Sequence, residues 1–105
     1  MVELISARQF NQIIKEHDMV VVDFFAQWCG PCQMMHPIVE ELANKYRHIK
    51  FVKLDIDESI NVAIDQKVQV VPTFVAYKNG TEINRIIGYN QLQDFALFLK
   101  GTFNI

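Results

Sequence analysis

The spacing of apolar residues changes period several times along this chain, and each change marks an element. Ser6 and Gln9 stand at capping-box spacing, and Phe10, Ile13 and Ile14 follow on one helical face, which predicts a short helix after a short leading strand. Met19 to Phe25 is rich in Val and Phe and reads as a buried strand, whereas Ile38, Val39, Leu42, Ala43 and Tyr46 recur at helical spacing. Ile49 to Ile56 predicts another strand and Ile60 to Gln66 a short helix. Thr73 to Lys78 is then a strand that Asn79-Gly80 turns back into Glu82 to Ile87. Leu92, Phe95, Ala96 and Leu99 form a last apolar stripe, with Gly101 as its expected stop.

Strands and helices alternate first and a hairpin closes the series. Several apolar strands and amphipathic helices are buried together by a mixed sheet with helices on both faces, an α/β arrangement. The 105 residues suit one domain, 1–105, without repeats, linkers or low-complexity segments. Hydrophobic residues make up 50% of the chain and include eight Phe, which argues against a disordered chain. A formal charge of −2 gives no reason to expect nucleic-acid binding. No stretch is long and apolar enough to suggest a membrane span, since His17, Asp18 and Asp23 bracket or interrupt the strongest run. The start, Met1-Val2-Glu3-Leu4-Ile5, lacks the pattern of a secretory signal, so a cytoplasmic location is expected.

Only two cysteines are present, Cys29 and Cys32, and they follow the apolar run directly at a strand-to-helix junction. Two cysteines with this spacing in a first helical turn can close a disulfide with little backbone movement, and the unpaired N–H groups there favour a thiolate. In a reducing compartment such a pair points to redox exchange. Cys29 comes first, at the helix entrance, and is expected to attack a substrate disulfide; Cys32 then resolves the mixed disulfide. Gly30 permits a close turn and close substrate approach, and Pro31 suits a first turn because it lacks an N–H. A histidine in place of Pro31 would favour the thiolate more strongly, so its absence favours a reductant over an oxidant. A structural zinc site and a structural staple are the other roles open to the pair. His17, His36 and His48 form no recognisable ligand spacing with it, and a bridge over so short a loop constrains the unfolded chain little.

Trp28-Cys29-Gly30-Pro31-Cys32 resembles the active-site segment of the thioredoxin family. Val21-Val22-Asp23-Phe24, Pro37, Val71-Pro72-Thr73, Asn79-Gly80 and Gly88 fall in matching order and extend the resemblance over almost the whole chain. It implies a thioredoxin-like fold, with a central mixed five-stranded sheet flanked by about four helices. It further implies a general protein-disulfide reductase or electron carrier that cycles between dithiol and disulfide. Asp23 would lie beneath the cysteines as a proton acceptor for Cys32, Lys53 would tune that acid, and Pro72 would be a cis-proline opposite the redox loop. Trp28, Gly30, Pro31, Val71, Pro72, Ile87 and Gly88 would receive the substrate segment. Phe25, where many relatives have Trp, and the uncharged Gln27 and Gln33 are departures that leave these positions intact.

The resemblance implies no bound cofactor and no metal. NADPH and FAD would act indirectly, through thioredoxin reductase as the upstream partner, with peroxiredoxin, methionine sulfoxide reductase or ribonucleotide reductase downstream. The chain is expected to be a monomer. A disulfide oxidase or isomerase would use the same exchange with electrons moving the other way. A noncatalytic binding module would use only the surface around Trp28 and Pro72.

Overall fold

The computed structural model describes residues 2–105; Met1, where the expected 1–105 unit begins, lies outside them. Nine elements follow in order: β1 (Glu3–Leu4), α1 (Ala7–Glu16), β2 (Met19–Phe25), α2 (Gly30–Lys45), β3 (Lys50–Asp55), α3 (Ile60–Asp65), β4 (Thr73–Lys78), β5 (Thr81–Ile87) and α4 (Leu92–Phe103). The strands form one sheet in the order β1-β3-β2-β4-β5. β3 runs parallel to both β1 and β2, while β4 runs antiparallel to β2 and β5, so the sheet is mixed.

β2 lies at the centre of this order, which explains a sequence without polar alternation. Val20, Val22 and Phe24 project into a core shared with Phe10 and Ile14 of α1. Val21 projects the other way, among Met35, Val39 and Leu42 of α2 and Phe95 and Leu99 of α4. Successive side chains on a strand alternate between faces, so a strand covered on both sides must be apolar at every position. Asp23 breaks that rule and shares the α2 face with Val21 and Phe25.

The local signals act as the residues suggest. Gln9 Oε1 accepts from the Ser6 N–H at 2.9 Å, closing the start of α1. Asn79 and Gly80 both adopt positive φ, 52° and 85°, and join Lys78 to Thr81 as the two-residue turn that a hairpin favours. The end of α4 differs from expectation. Gly101 lies inside the helix, which continues to Phe103 and is capped by Asn104 at φ 59°. Leu99 and Phe103, one turn apart, are both buried, so packing carries the helix past the glycine and Asn104 supplies the left-handed residue that ends it.

Candidate active site

The site grows out of the C-terminal end of β2. Cys29 is the N-cap of α2, Gly30 and Pro31 open the helix, and Cys32 stands in its first turn. Cys29 and Cys32 are joined as a disulfide, with their Cα atoms 5.3 Å apart. The Cys32 N–H donates to Cys29 Sγ at 3.2 Å. A helix N-terminus directs unpaired N–H groups and partial positive charge at its cap, so this position favours negative charge on Cys29 Sγ once the disulfide opens. Both cysteines are buried, Cys29 at 4% exposure and Cys32 at 1%, among Phe25, Ala26, Ile56 and Val71.

Gly30 was expected to permit a close turn. A Cβ there would meet nothing within 4 Å, and its backbone needs no left-handed conformation. The turn itself therefore does not require glycine, and the space above it is open.

The loop before β4 lies against the disulfide. The Val71–Pro72 peptide is cis, and the Val71 carbonyl oxygen is 3.6 Å from Cys29 Sγ. Pro72 is buried and Val71 half-buried, so it is the Val71 backbone that borders the sulfur. Gly88, at φ 84°, donates its N–H to the Pro72 carbonyl at 2.8 Å, which ties the end of β5 to this loop and holds exposed Ile87 beside it. Trp28 is 70% exposed, and its indole Nε1–H donates to Asp57 Oδ2 at 2.9 Å.

Asp23 is 2% exposed, and no group among the described residues hydrogen-bonds its Oδ1. Burial raises its pKa from 3.8 to about 7, against the opposing field of Lys53. Lys53 stands opposite Asp23 in the β2–β3 register, and its Nζ lies 5.8 Å from the centre of the Phe25 ring. His36 meets the same ring edge-on at 5.9 Å, and its pKa is lowered by burial and by Lys53, against the opposing field of Glu40.

The structure thus gathers Cys29, Cys32, Trp28, Gly30, Pro31, Val71, Pro72, Ile87 and Gly88 at one end of the sheet, with Asp23 and Lys53 in the strands below. It adds two acids that the sequence reading passed over. Asp55 is buried, accepts from Gln27 Nε2 at 3.3 Å and from the Asp57 N–H at 2.9 Å, and so fixes the loop that presents Asp57 to Trp28. The available signal was an Asp closing an apolar strand with a second Asp two residues on, the arrangement of a side-chain-supported turn. Among the described residues, no group of three or more His, Cys, Asp or Glu is placed to hold a metal ion.

A two-cysteine centre at a helix N-terminus, carried on a mixed sheet between two helical layers, is the arrangement of a dithiol–disulfide exchange protein. The thioredoxin family model matches residues 1–101, and the chain belongs to the thioredoxin family. It is 44% identical over 88 residues to the mitochondrial thioredoxin-3 of Saccharomyces cerevisiae, covering 84% of this chain and 69% of that protein. The structure of Plasmodium falciparum thioredoxin superposes with a TM-score of 0.90 at 35% identity, over 95% of this chain and 98% of that one. A chain from a structural study of the thiol-resolving mechanism in yeast mitochondrial 1-Cys peroxiredoxin via glutathione/thioredoxin systems superposes with a TM-score of 0.86 at 37% identity, over 99% and 95% of the two chains. The Cys29–Cys32 pair is accordingly the centre of a dithiol–disulfide oxidoreductase.

Proposed function

We propose that the chain, acting as one unit, reduces disulfides in other proteins. In the dithiol form Cys29 Sγ attacks one sulfur of a substrate disulfide; the new S–S bond links Cys29 to the substrate, and the other substrate sulfur leaves as a thiolate. Asp23, as the carboxylate, takes the Cys32 proton, directly or through water. Cys32 Sγ then attacks Cys29 Sγ, and the second substrate sulfur leaves. Two electrons pass to the substrate, whose thiolates take up protons, and the Cys29–Cys32 disulfide remains. The observation that carries this reading is the Cys32 N–H on the sulfur of an N-cap cysteine, which favours Cys29 as the attacking thiolate.

Trp28, Gly30, Pro31, Ile87 and Gly88 would form the surface that receives the substrate segment. The Val71 backbone would pair with it in extended form, with Pro72 holding that backbone in place. Lys53 acts on Asp23 through its field, keeping the acid ionisable near neutral pH. The chain binds no cofactor of its own in this reading. It is regenerated by a thioredoxin reductase that carries FAD and draws on NADPH. Peroxiredoxin, methionine sulfoxide reductase and ribonucleotide reductase are the proposed downstream classes, the first supported by the structural relative from a peroxiredoxin study. A reducing compartment such as the cytoplasm suits a pair that must return to the dithiol.

The test is turnover of a protein disulfide with NADPH and thioredoxin reductase as the electron source. Sustained turnover that Cys29→Ser abolishes supports the reading, whereas full turnover in Cys29→Ser contradicts it.

A further inference from the structure

α3 contributes little to the core that lies beneath it. Only Ala63 of its six residues is buried, whereas Ile60 and Ile64 are 58% and 65% exposed. Residues four apart share a helix face, so the two isoleucines form one apolar strip. Single exposed apolar side chains are ordinary, but β-branched residues add nothing to helix propensity, and here two stand together without a packing role in the fold.

The chain on either side of α3 touches the redox centre. Asp57, three residues before Ile60, accepts the Trp28 indole N–H at 2.9 Å. Val70, after the helix, is 51% exposed and precedes Val71, whose carbonyl oxygen is 3.6 Å from Cys29 Sγ. The strip is therefore carried between two segments that both border the redox centre. Asp57 and Glu58 make its N-terminal end acidic, next to Trp28. Exposed Asp65 at the other end is accompanied by exposed Lys67 and by the Arg85 guanidinium on the Gln66 carbonyl, so the acidic margin is the end nearest the redox centre.

We propose that the Ile60–Ile64 face is a specificity subsite for protein disulfides whose flanking surface presents apolar side chains rimmed by basic residues. This rests on the disulfide-reductase reading and deepens it. The centre exchanges any accessible disulfide, and the α3 face selects among protein partners by burying their flank. A partner covering Ile60 and Ile64 removes apolar surface from water, and its lysines or arginines meet the acidic margin.

Two synthetic disulfide peptides test this, identical except that one carries Leu, Phe and Lys beside the cysteine and the other Ser. For the unaltered chain the apolar peptide should show a KM about tenfold lower, the scale of a modest hot spot. In the double variant Ile60→Gln/Ile64→Gln that preference should disappear. Reduction of a small aromatic disulfide, which is too short to reach α3, should stay unchanged and shows that the variant is folded. Equal KM values for the two peptides in the unaltered chain would overturn the proposal. So would self-association of the unaltered chain that the double variant abolishes, because a second copy would then be the occupant. Failure of the unaltered chain to reduce even the small disulfide would instead overturn the reductase reading.

Discussion

Asp23 and Lys53 stand opposite one another in the parallel β2–β3 register, yet the lysine ammonium lies over the Phe25 ring while Asp23 Oδ1 has no hydrogen-bond partner among the described residues. The lysine lowers the pKa of the acid through its field, and burial outweighs it, leaving the pKa near 7. Both protonation states of Asp23 are therefore accessible near neutral pH, as a group that takes and returns a proton requires.

The same shift sets a pH dependence of stability. Between pH 3.8 and about 7 the folded oxidised protein holds a proton on Asp23 that the unfolded chain has lost. Stability therefore falls as pH rises through that window, and the full cost is present above it. At roughly 1.4 kcal/mol per pKa unit the cost is on the order of 4 kcal/mol. Asp23→Asn should remove this slope and be more stable at pH 8, as read by denaturant unfolding of the oxidised forms. A variant that keeps the slope would show that another group carries it.

Lys53→Met removes the one opposing influence on Asp23, so the pKa of the acid should rise further. In a pH profile of single-turnover reduction the acidic limb should move to higher pH, with the rate at high pH little changed. Asp23→Asn should slow the resolving step by about 10²-fold or more, the usual contribution of a positioned base, and the mixed disulfide should accumulate.

Asp57→Ala removes the acceptor of the Trp28 indole N–H. The exposed indole should gain freedom, visible as a change in its fluorescence anisotropy. KM for a protein disulfide should rise several-fold, since a charge-assisted hydrogen bond contributes about 1.5–3 kcal/mol and less where solvent competes. kcat should change little.

Gly101 lies within α4, and a Cβ there would meet nothing within 4 Å. Gly101→Ala should therefore stabilise the protein by about 0.5–1 kcal/mol, measured by thermal unfolding. A glycine that ended the helix in a left-handed conformation would give the opposite sign.

That residue also shows where sequence reading loses resolution. β2, the capping box at Ser6, the Asn79-Gly80 turn and the cysteines at the entrance of α2 were legible because each rests on local chemistry: strand burial, side-chain capping, positive φ, an N-cap. The end of α4 depends instead on Phe103 reaching the α2-side core, a tertiary contact that overrides the glycine signal. Asp57 escaped notice for a similar reason: its partner Trp28 lies 29 residues away, and the turn built on Asp55 brings them together. Asp23 stood out as a charge in an apolar strand, but its lack of a partner at Oδ1 and its place on the α2 face emerge only from the packed sheet. Lys53 could be assigned to it only by resemblance until the β2–β3 register set the two opposite one another.

In the proposed exchange Cys29 attacks the substrate disulfide and Cys32 releases the substrate. This order is tested most directly by mixing reduced Cys32→Ser with a protein disulfide and locating the adduct by mass spectrometry after digestion. The expected result is a stable mixed disulfide on Cys29, with no adduct formed by Cys29→Ser on the same timescale. An adduct formed as readily on Cys32 in Cys29→Ser, with none on Cys29 in Cys32→Ser, would reverse the assigned roles and contradict the account.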